Sequence, residues 1–138
     1  MRSTVINAVA RFSVALIWIY HGVVPKLLFH DPGEQSMIRE MGVSPHRLVS
    51  AMIVAGILEV IFGVWVLVRW HSPWPLRSTI GLMILALAAV AARSPGYLTH
   101  AFNPVSLNAA AVSLAIIGLM SGSNVPSADR CRRRPGQR

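Results

Sequence analysis

Three ionisable side chains stand where the surrounding sequence makes charge costly. Glu59 lies near the middle of an apolar run from about Leu48 to Val68, and His21 and Lys26 lie in a second run from about Ala8 to Phe29. A carboxylate at the centre of a membrane costs roughly 2.5–3.5 kcal/mol on insertion scales, so such a group normally faces other helices and has a partner. A carboxylate, an imidazole and an ammonium together can pass a proton, hold the carbonyl or hydroxyl head of a small lipophile, or fix the register of two helices.

The depth of each group decides which pairs can meet. At about 1.5 Å per residue, His21 lies ~4–5 Å beyond the midpoint of its run, and Glu59 lies within ~2 Å of the midpoint of its own. The gap of ~6 Å is short enough for side chains to bridge, so His21 is the expected partner of Glu59. Lys26 lies ~12 Å out, and its long stem suits snorkelling towards the interface. A direct Lys26–Glu59 contact needs a bend. Pro25 offers one, because it cannot donate the helix hydrogen bond to the carbonyl of His21. That carbonyl is then expected to be a free acceptor. Two readings stay open: a hydrogen-bonded pair that fixes packing, and a ligand or proton site.

The elements that must position these groups are membrane helices. Only 13% of the 138 residues are charged, where a soluble domain carries about 25%, and mean hydropathy is +0.54. Four apolar segments are visible, roughly Ala8–Phe29, Leu48–Val68, Leu76–Ala92 and Pro104–Met120. Each approaches or exceeds the 17–25 residues that cross about 30 Å as a helix. The first continues past a signal-peptide length through His21 to Lys26 and shows no small-x-small cleavage pattern, so it reads as a span. The expected fold is all-α: an integral membrane four-helix bundle over residues 1–122 with a short outer interfacial helix, followed by a disordered Arg-rich tail over 123–138.

Charge sets the expected orientation. Arg2, Arg11, Arg69, Arg77 and the tail arginines fall on one side; Lys26, Arg39, Arg47 and Arg93 fall on the other, diluted by Asp31, Glu34 and Glu40. Taking the membrane as a bacterial inner (cytoplasmic) membrane crossed several times, the positive-inside rule places both termini in the cytoplasm. The tail, with Arg130, Arg132, Arg133, Arg134 and Arg138, suits anionic lipid; without a folded basic domain beside it, nucleic-acid binding is not expected. The single cysteine, Cys131, offers no partner for a disulfide or a redox pair.

Turn chemistry joins the spans. Asp31-Pro32-Gly33-Glu34 reads as a capping box opening a short helix to about Met41, ended by Gly42. Met37, Ile38 and Met41 share its apolar face. Ser44-Pro45 is expected to cap the second span, with Val43 and Leu48 as a staple, and Asn103-Pro104 the fourth. Ser94-Pro95-Gly96 ends the third, and Trp70 and Trp74 suit an interfacial belt.

Small and polar residues mark the buried seams, since lipid is as apolar as a core. The expected inward faces are Asn7, Arg11, Val14, Trp18, His21 and Pro25 in the first span, and Met52, Gly56, Glu59, Gly63 and Val66 in the second. They are Ser78, Gly81, Leu85, Ala88 and Ala92 in the third, and Asn108, Ala111, Ala115, Gly118 and Gly122 in the fourth. Gly56 and Gly63 let a neighbour approach Glu59 closely.

Outside the spans, His30, Asp31, Glu34, His46 and His100 are metal-capable types, but their spacing matches no metal motif and no metal site is expected. A bis-histidine haem is not expected either, because every histidine but His21 falls outside the spans. Tyr97, His100 and Phe102 suit the outer mouth of the bundle, together with Glu34 and Asn103.

The stretch Trp18-Ile19-Tyr20-His21-Gly22-Val23-Val24-Pro25-Lys26-Leu27-Leu28-Phe29, followed by Asp31-Pro32-Gly33-Glu34, resembles the first-span signature of the DoxX-like family. Glu59 in its Gly-flanked span and His100-Ala101-Phe102-Asn103-Pro104 resemble the same family. The likeness covers nearly the whole chain except the tail. It implies a small four-helix membrane protein of the DoxX superfamily, whose founding member is associated with a thiosulfate:quinone oxidoreductase complex. No motif brings catalysis. The leading expectation is an accessory membrane subunit of an oxidoreductase system, with quinone or another small lipophile near His21, Tyr20, Trp18, Lys26 and Glu59. The expected partners are membrane lipids and an oxidoreductase subunit, and a homo-oligomer stays open. The alternatives are a small carrier coupled to protons or a weak acid, and a structural scaffold for a partner enzyme.

Overall fold

A computed structural model describes residues 2–99 and 103–122, and the Arg-rich tail, with Cys131, and His100 lie outside them. The described chain runs α1 (Arg2–His21), a π-helical segment (Gly22–Leu28), α2 (Pro32–Glu40), a 3₁₀ turn (Pro45–Arg47), α3 (Leu48–Val68), α4 (Trp74–Arg93), a 3₁₀ turn (Pro95–Thr99) and α5 (Pro104–Gly122). Four helical stretches, Ser3–Leu28, Pro45–Val68, Trp74–Arg93 and Pro104–Gly122, are long and apolar enough to cross a membrane. The α3 bounds match the apolar run. The first helix starts earlier than its apolar run, and of its polar opening residues Asn7 is buried against α5.

In the bundle α1 is the shared neighbour. It packs along both α3 and α5, and α5 in turn packs on α4, while the consecutive helices α3 and α4 meet sparingly. Val14, Ala15, Val66, Leu76 and Ala115 form the buried centre.

Three of the four expected inward faces hold. Asn7, Arg11 and Val14 are buried on α1, with Trp18, His21 and Pro25 half-buried beyond them. Met52, Gly56, Gly63 and Val66 are buried on α3, as are Asn108, Ala111, Ala115 and Gly118 on α5. The α4 seam is different. Leu85 is 66% exposed and Gly81 has nothing within 4 Å of where a Cβ would stand, whereas Pro75, Leu76, Thr79, Met83 and Val90 are buried. The reason is complementarity. The small residues of α5 already form the hollow, so α4 supplies the bulk: a Cβ on Gly118 would come within 2.8 Å of Leu76 Cδ1.

The end of the bundle where α1 begins is tied by a polar network. Asn7 Nδ2 donates to the Gly118 carbonyl at 2.6 Å, and Arg11 Nε donates to Asn7 Oδ1 at 3.2 Å. The Arg11 guanidinium then donates to the carbonyls of Val66, Arg69 and Ser72, at 3.5, 3.3 and 2.7 Å. These are the last carbonyls of α3 and its turn, which have no partner inside the helix and carry its negative pole.

At the opposite end, Asp31 Oδ2 accepts from the Glu34 amide at 3.0 Å and Pro32 opens α2, which stops before Gly42 at φ 97°. None of the residues of α2 is buried, and it rests mainly against α3. Asn103 Oδ1 caps α5 by accepting from the Ser106 amide at 3.0 Å. Ser44 does not cap with its side chain; the 3₁₀ turn satisfies the amide of Arg47 from the Ser44 carbonyl at 2.9 Å instead.

Arg11→Ala removes the guanidinium donor from the Val66 and Ser72 carbonyls and strands Asn7 Oδ1, at a cost of about 1–3 kcal/mol. The expected result is a clear fall in the melting temperature of the detergent-solubilised protein, while Arg77→Ala, on the exposed face of α4, leaves it nearly unchanged.

Candidate functional site

The site begins with a proline. Pro25 lacks the amide that would bond to the His21 carbonyl, and its ring crowds that carbonyl. The chain answers by widening to the i→i+5 pattern over Gly22–Leu28, with His21 as the preceding residue. That pattern passes the His21 carbonyl on to the amide of Lys26, so it is not the free acceptor the sequence suggests. The segment closes through Phe29 N to the Val24 carbonyl at 3.1 Å and Asp31 N to the Pro25 carbonyl at 2.8 Å. His30 ends it at φ 47°, a left-handed position more often taken by Gly or Asn.

Lys26 stands four residues after Gly22 and so lies on the same helix face; both are buried. Gly22 and Gly56 then set how close α1 and α3 come. A Cβ on Gly22 would stand 2.5 Å from the Gly56 carbonyl oxygen, and one on Gly56 would stand 2.8 Å from that of Gly22. Neither glycine has a positive φ, so space rather than conformation demands them.

The result is an ion triad. Lys26 Nζ lies 3.0 Å from both carboxylate oxygens of Glu59 and 3.5 Å from Oε1 of Glu34. The lysine side chain is 8% exposed and each glutamate side chain 22%. Glu59 therefore pairs with Lys26, not with His21. The geometric reason is angular: Gly22 faces α3, and its neighbour His21 is turned roughly 100° away along the helix. His21 makes no hydrogen bond to Glu59; its electrostatic neighbours are Lys26 and Glu34, and its ring meets Tyr20 edge-on at 6.5 Å.

Glu34 joins through half of a capping box. Asp31 accepts from the Glu34 amide as expected, but the Asp31 amide is already taken by the Pro25 carbonyl. The Glu34 carboxylate, which would otherwise reach back to that amide, reaches Lys26. The sequence signal was present in Lys26 and Glu34 flanking the Asp31-Pro32 corner, but the bond from the Asp31 amide to the Pro25 carbonyl, which frees the Glu34 carboxylate, was not.

The remaining candidates are placed as follows. Trp18 is a bridge: its Nε1 donates to Thr79 Oγ1 at 3.2 Å, and its ring packs on Phe62 with centroids 4.5 Å apart. Thr79 in turn donates to the Pro75 carbonyl at 3.0 Å. Tyr20 is 57% exposed on the outer face of α1. Asn103 lies at the start of α5 in its capping role. Among the described residues no three His, Cys, Asp or Glu side chains are gathered as a metal would need.

Over residues 15–116 the chain matches the profile of the DoxX-like family. No curated protein and no solved structure matches it.

Breaking a buried ion pair from one side costs about 3–5 kcal/mol, whereas replacing both partners by apolar groups is often neutral. Lys26→Met alone, which leaves two carboxylates without a cation, is expected to destabilise strongly. Lys26→Met with Glu59→Leu should recover much of that loss in a thermal double-mutant cycle. Gly22→Ala, which forces α1 and α3 apart, should lower the melting temperature more than Gly81→Ala, where nothing lies within reach of the new methyl.

Proposed function

The chain belongs to the DoxX-like family, and from that premise we propose that this membrane protein is an accessory subunit of an oxidoreductase system that holds a quinone or another small lipophile beside Lys26, Glu59 and His21. The observation carrying this reading is the triad itself. An ammonium is kept within an apolar bundle by two carboxylates that each retain some exposure. Charges that served packing alone would be sealed or replaced by apolar side chains at no loss. Ionisable groups in a span, and a π-helical turn beside them, are features that recur at functional sites.

In this reading the lipophile enters at the α2 end. His21 offers a donor to a carbonyl oxygen, Lys26 supplies a positive charge held by its carboxylates, and Glu59 and Glu34 take up or return the proton that accompanies quinone reduction. Trp18 forms a wall towards the bundle centre. Tyr20 flanks α1 on the lipid side, and Asn103 belongs to the approach to α5. The protein adds no redox group; the electrons come from a partner subunit. In this reading the membrane is a bacterial inner one, and the charge distribution supports both termini being cytoplasmic.

One observation favours a second reading. Lys26–Glu59 sits at the tight Gly22/Gly56 crossing, where an ion pair also fixes the register of α1 against α3 and makes a rigid scaffold for a partner enzyme.

A deletion strain separates the two. Wild type should restore quinone-dependent oxidation, and Glu59→Gln should not, despite its similar shape. Full restoration by the apolar pair Lys26→Met/Glu59→Leu would establish the scaffold instead. In purified protein, quinone should quench tryptophan fluorescence, less so in Trp18→Phe. Proton flux into liposomes that disappears with Glu59→Gln would point to a carrier.

A further inference from the structure

The triad is unbalanced, and the imbalance has a direction. Two carboxylates share one ammonium, so with His21 neutral and both carboxylates ionised the group carries one excess negative charge. The buried member is the donor: the Lys26 side chain is 8% exposed against 22% for each of Glu34 and Glu59. What an incoming head group meets first is carboxylate oxygen.

The acceptor capacity is also unspent. An ionised carboxylate has about four lone-pair sites. Among the described residues Lys26 is the donor to both side chains, at 3.0 Å to Glu59 and 3.5 Å to Glu34. The lysine has spent its own capacity on them. A ligand carbonyl has to win the ammonium away from one of its carboxylates; a ligand hydroxyl simply adds a bond to an acceptor with room.

From this we infer that the Glu34–Lys26–Glu59 site selects lipophiles whose neutral head donates a hydrogen bond, a phenolic or quinol-type hydroxyl, and disfavours carbonyl-headed and anionic ones. The inference rests on the lipophile-binding reading above and sharpens it: of the two forms of a quinone couple, the reduced one is the better ligand. An anion is repelled by the excess negative charge. The hydroxyl makes a charge-assisted bond, which is the stronger kind.

The test needs two probes that differ in one donor. Nonylphenol and its methyl ether, nonylanisole, have the same ring and tail. Binding is measured to the full-length protein in neutral-lipid nanodiscs, with decanoate and decylamine as competitors. The expected result is that nonylphenol binds about tenfold or more tighter than nonylanisole, the worth of one hydrogen bond to a charged group. The preference should shrink in Glu34→Gln and vanish in Glu34→Gln/Glu59→Gln. Glu34→Gln keeps the assay usable if the double variant folds poorly, because Glu34 belongs to a helix with no buried residues.

Equal binding of the two probes overturns the inference and leaves the lipophile site standing. Stronger displacement by decanoate overturns it in favour of an anion site, and stronger displacement by decylamine overturns it in favour of a cation site. If no probe binds saturably, the inference and the lipophile reading fall together.

Discussion

The contact between Lys26 and Glu59 is the constraint that the rest of the α2 end is arranged to satisfy. Lys26 follows Gly22 by four residues and shares its α3-facing side, and within the π-helical turn around Pro25 its ammonium lies 3.0 Å from Glu59. The same turn supplies the Pro25 carbonyl that occupies the Asp31 amide, and so releases Glu34 to join. Such a turn persists in an apolar surrounding because each carbonyl it displaces finds another amide.

The bundle holds α1 in place from both ends by different means. At one end Arg11 gathers three carbonyls from the close of α3 and its turn, and Asn7 reaches α5. At the other, glycines allow backbones to touch and the ion triad closes over them. Between the two, Trp18 links α1 to α4 through Thr79 and to α3 through Phe62. The weak contact between α3 and α4 is spanned by this tryptophan. Arg11 sits near one end of the bundle, whereas Glu59 stands at the middle of α3, where desolvation is most costly, and its cation reaches it from the α2 end.

Much of this was legible in the residues. The four spans, the α2 cap at Asp31, the stop at Gly42, and the inward faces of α1, α3 and α5 follow from length, turn chemistry and small or polar spacing. The wrong face of α4 shows the limit of that last rule. A seam needs small residues on one helix and bulk on its partner, and the sequence does not say which helix takes which part. The pairing of Glu59 was misplaced for a different reason. Depth was counted along a regular helix, and a regular helix puts His21 nearer. Pro25 marked the place of the irregularity but not its form; a kink, a break and a π-helical turn all answer a missing amide, and each aims Lys26 differently.

The placement of Glu34 bears on whether the triad is packing or chemistry. To hold α1 against α3, Lys26 and Glu59 suffice, and Gly22 and Gly56 already bring the backbones together. The second carboxylate comes from α2, which buries none of its residues and adds little to the cohesion of the spans. It does leave the site with more acceptor than donor and with its carboxylates more exposed than its ammonium. An arrangement serving only to neutralise a lysine would stop at one glutamate, because the second adds desolvation cost without a cation to offset it. The excess is explained if something arriving from outside the chain supplies the missing donor.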